Sequence, residues 1–141
     1  MPPVTLTAYA QTKRVRSTIA QINAVTGAEI LPAVPGYAYR VIDVVLIAIG
    51  GAAATATSVD LIGTRAAAAV RLLVAAVAAI AQSVVAHIGI ANMVVLADGA
   101  SFTPLDAGTA IVLATQAFPN AGNLATCTHV DCVITYALES A

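Results

Sequence analysis

The chain has 141 residues and a net charge of −1, with six Lys and Arg, seven Asp and Glu, and 33 alanines, so it holds one ordinary domain and not two. A soluble domain of this length carries about 35 charged residues; the shortfall leaves a bland, small-residue surface that disfavours a freely diffusing monomer and suits a membrane, an obligate oligomer or a lattice whose neighbours cover it. Few cations and six aromatics exclude a nucleic-acid footprint, and two cysteines make no disulfide framework.

Residues 1–27 read as an N-terminal arm ending in an edge strand. Met1-Pro2-Pro3 opens without the basic segment and apolar run of a secretory signal, which predicts a protein kept in the cytoplasm that makes it until it assembles. Lys13, Arg14 and Arg16 stand here with no acid before Glu29. A basic arm thus precedes a mildly acidic body, and these three are the candidate residues for docking on an acidic neighbour; the blander reading is a solvated terminus. Ile19-Ala20-Gln21-Ile22 is expected to be the strand that closes the arm.

Residues 28–141 then read as the body. Ile30, Leu31 and Val34 form a short piece cut by Pro32 and Pro35, residues confined to strand edges and ends. After Gly36, Tyr37 to Ile49 is a strong strand. Alternation puts Tyr37, Tyr39, Val41, Val45, Ile47 and Ile49 on one face and Ile42, Val44 and Leu46 on the other, and apolar residues on both faces predict a sandwich interior or a subunit interface. Gly50 to Thr57 reads as a loop, Ser58 to Ile62 as a short strand and Gly63 as another break.

The stretch from Ala66 to Ala86 is ambiguous. Its alanines favour helix, but its valines suit strands, expected at 69–75 and 83–88. The 26 residues from Leu72 to Ala97 lack formal charge and are long enough to cross a bilayer. Gln82, His87 and Asn92 interrupt them, alanine stands where a span carries leucine, and 44 Val, Ile and Thr in the whole chain favour pleated sheet, so no membrane span is expected. Asp98-Gly99 suits a tight hairpin turn between 92–97 and 100–103. A strand at 110–114, a loop at 118–123 and a closing strand from Thr126 to Leu138 complete the chain. About eight short strands with Gly and Pro between them predict an all-β fold, a β-sandwich or jelly roll with an extended N-terminal arm. No fixed-period repeat is evident, which argues against a solenoid.

Cys127, His129, Asp131 and Cys132 crowd six positions as a metal site does. On a strand, however, Cys127, His129 and Asp131 share one face and Cys132 the other, so the thiols cannot converge on one ion; Cys132 is expected in the core and His129 exposed or at an interface. No metal or cofactor is expected. His87 is isolated, and Ser83, Ser101, Asp98 and Asp106 read as turn residues. The nucleophile elbow, the phosphate-binding loop and the H-E-x-x-H helix are all missing. Asp43, Asp60, Asp98, Asp106 and Asp131 are expected to be solvated or paired with Arg40, Arg65 and Arg71, so the chain reads as a non-enzyme.

Four blocks in order, Pro35-Gly36-Tyr37-Ala38-Tyr39-Arg40-Val41-Ile42-Asp43, Ile49 to Thr64, Val95 to Phe102, and Ala125-Thr126-Cys127-Thr128-His129-Val130-Asp131-Cys132-Val133-Ile134-Thr135-Tyr136, resemble the small virion structural proteins of tailed bacteriophages, capsid decoration (cement) proteins among them. The resemblance covers about residues 28–139 and lies in block order and wording, with no catalytic signature. It implies a β-sandwich or jelly-roll subunit, a homotrimer seated on the outer surface of the capsid, bound to the major capsid protein and clamping the head against internal pressure. The alanine-rich 66–86 region and the basic arm depart from that pattern. The alternative is a head or tail fibre or a carbohydrate-binding jelly-roll module, for which Tyr9, Phe102 and Phe118 are the aromatics available for stacking on sugars.

Overall fold

The computed structural model describes residues 10–80, 82, 85–87, 93–95, 104–115 and 122–140. Within them the β-branched content is realised as strands: β1 (Gln11–Thr18), β2 (Ala28–Leu31), β3 (Tyr37–Ile49), β4 (Ser58–Arg65), β5 (Ala68–Ala76), β6 (Ala86–His87), β7 (Met93–Val95), β8 (Ile111–Ala114) and β9 (His129–Ser140). A five-residue helix, α1 (Ile19–Asn23), follows β1, and a 3-10 turn, Val77–Ala79, follows β5. The strands form two antiparallel sheets, ordered β1-β9-β3-β6 and β2-β8-β4-β5-β7. The fold is all-β. The ambiguous alanine-rich stretch is strand at 68–76, because Leu73 and Ala75 alternate into the core. The expected Asp98-Gly99 turn and the 118–121 part of the next loop lie outside the described residues.

One core lies between the sheets. Val44, Leu46 and Ala48 of β3 and Val130, Cys132 and Ile134 of β9 meet Val59 and Leu61 of β4, Leu73 and Ala75 of β5, and Ile111 and Leu113 of β8, all at most 1% exposed. Each set occupies every second position, as a sheet with one face on the core requires. Each large side chain among them contributes about 1.5–3 kcal/mol through burial.

Strict alternation fails in β3, which corrects the faces expected for it. Val41 pairs with Tyr136 and Asp43 with Thr135, so Ile42 is an extra residue with no partner opposite, and it is 52% exposed. A bulge of this kind reverses the parity of everything beyond it. Tyr39 and Val41 therefore pack on the core together with Val44, Leu46 and Ala48, while Val45, Ile47 and Ile49 turn outward.

Three other expectations are corrected. Ile19–Asn23 is helix, and the edge strand is Gln11–Thr18 before it: Thr18 Oγ1 accepts from Gln21 N at 3.2 Å and Gln21 Oε1 from Thr18 N at 2.9 Å, a capping box, and Ile22 anchors the helix with no exposed surface. Gly63 is no break but lies within β4, where a Cβ would press Leu105 and Leu72 at 3.0 and 3.2 Å. The last strand begins at His129, because Thr126 takes a left-handed φ of 68° that turns the chain just before it.

The architecture also contains a repeat. Replacing β1, β2, β3 and β4 by β5, β6, β8 and β9, and the reverse, converts the order β1-β9-β3-β6 into β5-β4-β8-β2, which is the second sheet without β7. The correspondence is residue by residue between 51–60 and 122–131, each residue matching the one 71 places later, and both segments carry Ala-Thr-x-Thr-x-Val-Asp. Thr55 and Thr126 both have positive φ, 78° and 68°. Gly51 lies against the Thr126 carbonyl and Gly122 against that of Thr55, where a Cβ would sit 2.4 and 3.2 Å from the oxygens. Thr57 O accepts from Val77 N as the 3-10 turn begins, and Thr128 O accepts from Ile19 N as α1 begins, at 3.2 and 3.3 Å.

Candidate functional site, a cationic edge strand

Lys13, Arg14 and Arg16 lie in β1, which ends the first sheet and pairs with β9 over all eight residues without a register shift. Alternation sends Arg14 and Arg16 to the face turned away from the core. There Arg16 stands directly opposite Asp131 and Arg14 one same-face position along, opposite Val133. Both guanidinium groups close on the Asp131 carboxylate. Arg16 Nε donates to Oδ1 at 2.8 Å and Nη2 to Oδ2 at 3.1 Å; Arg14 Nε donates to Oδ2 at 2.7 Å, and Arg14 Nη2 donates to the same oxygen. Lys13 points to the other side of the strand, is exposed, and has no ion-pair partner among the described residues.

The electrostatics are asymmetric. The Asp131 side chain is fully covered while those of Arg14 and Arg16 remain 58% and 55% exposed. Hydrogen bonds from Arg16, assisted by those and the charge of Arg14, hold the Asp131 carboxyl below the usual carboxylate range against the opposing effect of burial. The same contact, first the hydrogen bond and then the charge of Asp131, raises the Arg16 pKa. Arg14 and Arg16 share this one carboxylate and Lys13 adds a third charge on the other side, so the strand stays positively charged.

The other candidates are placed as follows. Asp131 pairs with Arg14 and Arg16 rather than with Arg40, Arg65 or Arg71; Arg40 pairs with Glu139 at 2.6 Å. Asp60, matched to Asp131 by the repeat, lies on the outer face of the opposite sheet and accepts from Ser58 Oγ at 2.9 Å, so these two carboxylates cannot share a proton. Asp43 accepts from Val44 N at 2.9 Å. Asp106 accepts from the backbone N–H groups of Ala66 and Ala67 at 2.9 and 2.8 Å. Asp98, Ser83 and Ser101 lie outside the described residues, as do Tyr9, Phe102 and Phe118.

Cys127 does not share the face of Asp131. It precedes β9, and the left-handed Thr126 turns it into the same core as Cys132. Burial pushes the Cys127 thiol up and that of Cys132 to about 12. His129 is half-buried, its Nδ1 3.0 Å from Thr128 Oγ1. Among the described residues no group of three His, Cys, Asp or Glu is placed to hold a metal ion, and no helix is long and apolar enough to cross a membrane.

The sequence reading missed Asp131 as the partner of the arginines. The second Ala-Thr-x-Thr-x-Val-Asp segment marks Asp131 itself, as the first marks Asp60, but the pairing with the arginines follows only from the register of β1 against β9. No family model, curated protein or solved structure matches the chain.

Proposed function

We propose that the chain is a non-enzymatic structural protein of a phage virion, a capsid decoration protein that binds the major capsid protein lattice and stabilises the head. The observation that carries this reading is the strand order. We read the sheets β1-β9-β3-β6 and, apart from β7, β2-β8-β4-β5 as a jelly roll, an architecture used by capsid subunits. The four sequence blocks that resemble virion proteins agree with it. Fold alone does not assign a function, and here the charged side chains support a mechanical role. The described aspartates and Glu139 are engaged by arginines, a hydroxyl or backbone amides, and both cysteines are buried as thiols.

On this reading the sandwich is a rigid plug. Its low charge lets copies approach one another closely as a homotrimer, and the lattice multiplies a modest contact at each site into strong overall binding. Lys13, Arg14 and Arg16 are the docking residues, held in a strand instead of a loose arm. Because β1 is part of the sheet, deleting residues 1–27 would remove an edge of the fold, so the test uses intact protein. Purified chain is mixed with undecorated phage heads and sedimented. Saturable co-sedimentation that raises the disruption temperature of the heads is expected; heads that neither bind the chain nor gain stability refute the role.

A further inference from the structure

Among the described residues four strands end the two sheets, and β1 is the best template for pairing. β2 has four residues, its register with β8 shifts between Glu29 and Leu31, and Pro32 follows; β6 and β7 are described over two and three residues. β1 differs in each respect. It runs eight residues in unbroken register with β9, only Ser17 is buried, and no described strand pairs with its other edge. A long, regular edge presents a row of backbone N–H and C=O groups to any extended chain.

Its charges select the chain. Two β1 strands side by side would set Lys13, Arg14 and Arg16 against their own copies, and like charges across a strand pair are destabilising, so the edge is guarded against a second copy of itself. The same cations favour carboxylates. Asp131 takes two N–H donors from each of Arg14 and Arg16, leaving three of the five on each guanidinium. It fixes both groups on one face without exhausting them. Acidic residues at alternate positions of an added strand would reach Arg14 and Arg16 on that face, and one acid of the opposite parity would reach Lys13.

We propose that the outer edge of β1 accepts an extended acidic segment of a partner protein as an added β-strand. Resting on the reading above, the partner is the major capsid protein. The probe is a seven-residue peptide of alternating glutamate and valine, with glutamate also at its fourth position as the acid of opposite parity, blocked at both ends, titrated into the full chain and followed by amide hydrogen exchange. Slowed exchange is expected at those β1 amides that do not bond to β9. Binding should be lost on N-methylation of the peptide's pairing edge and should weaken about three- to fivefold in Lys13→Glu, whose fold is checked by circular dichroism. No binding, protection away from β1, equal binding of the N-methylated or lysine-for-glutamate peptide, or equal displacement by duplex DNA overturns the proposal. Peptide binding at β1 by a chain that ignores heads refutes the capsid role and leaves strand addition standing; head binding without protection of β1 does the reverse.

Discussion

Ala54 and Ala125 bind each other through both peptide groups, each N–H donating to the other's carbonyl, at 3.2 and 3.0 Å. The bridge joins the matched segments 51–60 and 122–131. It stands for a wider exchange, because every described strand ladder except β5 with β7 connects the half of the chain before Ala66 to the half after it. Among the described strands the first half pairs none of its own and the second only β5 with β7. Fragments 1–66 and 67–141, separated at an exposed turn, are therefore expected to be unfolded alone and to form a β-rich one-to-one complex when mixed, read by circular dichroism and sedimentation. A half that folds by itself would show that the exchange does not control folding.

That turn is closed by unusual residues. Ala66 and Ala67 link β4 to β5 with φ of 52° and 61°, the left-handed pair that a two-residue hairpin of type I′ needs and that Asn-Gly normally supplies. Asp106 compensates by accepting both N–H groups, while its own N–H donates to Thr64 O at 2.8 Å. Asp106→Ala should cost about 1–2 kcal/mol. The double substitution Ala66→Asn, Ala67→Gly should gain about 1 kcal/mol by relieving left-handed alanine. Urea midpoints measure both; an unchanged midpoint in Asp106→Ala would mean that water serves the turn as well as the carboxylate does.

These two features mark where the sequence can be read and where it cannot. Tyr37–Ile49 is legible as a strand because the stretch after Gly36 is rich in β-branched and aromatic residues, whereas Ala66 to Ala86 is ambiguous in sequence and only the burial of Leu73 and Ala75 separates 68–76 from a helix. The faces of β3 are not legible, since one bulged residue, Ile42, reverses parity without any local signal. Nor is the Ala66-Ala67 hairpin, because Asp106, its stabiliser, lies 40 positions away. The basic cluster is visible at once, but its ordering by Asp131 depends on strand register, a long-range property.

The buried thiols set the alkaline limit of the fold. Burial pushes Cys132 to about 12, whereas a thiol in the unfolded chain ionises near 8.5. With the folded pKa raised, the contribution of this group is fully present below the unfolded value and is lost as pH rises from about 8.5 towards 12. Stability by urea titration should fall over that window, and Cys132→Ser should flatten the fall while lowering stability at neutral pH through a hydroxyl in an apolar site. In the native protein at pH 8 a thiol reagent should label Cys132 only at the rate of unfolding. Rapid labelling without denaturant would contradict its burial.

Asp131 sets the acid limit, with the opposite sign. Its folded pKa is lowered, by Arg16 first and then Arg14, so its contribution is complete above the unfolded value of about 3.9 and is lost as pH falls through the folded one. Asp131→Asn removes that contribution at every pH. The variant should be less stable by about 1–2 kcal/mol at pH 7, a modest figure because both guanidinium groups are more than half exposed and regain water when the carboxylate goes. The gap between wild type and variant should stay constant down to about pH 5 and close below about pH 4. Hydrogen exchange at neutral pH should locate the loss in β1, the strand that Asp131 secures to β9. A gap that widens on acidification, or a loss of protection spread evenly over both sheets, would show that the carboxylate does not hold the edge strand in place.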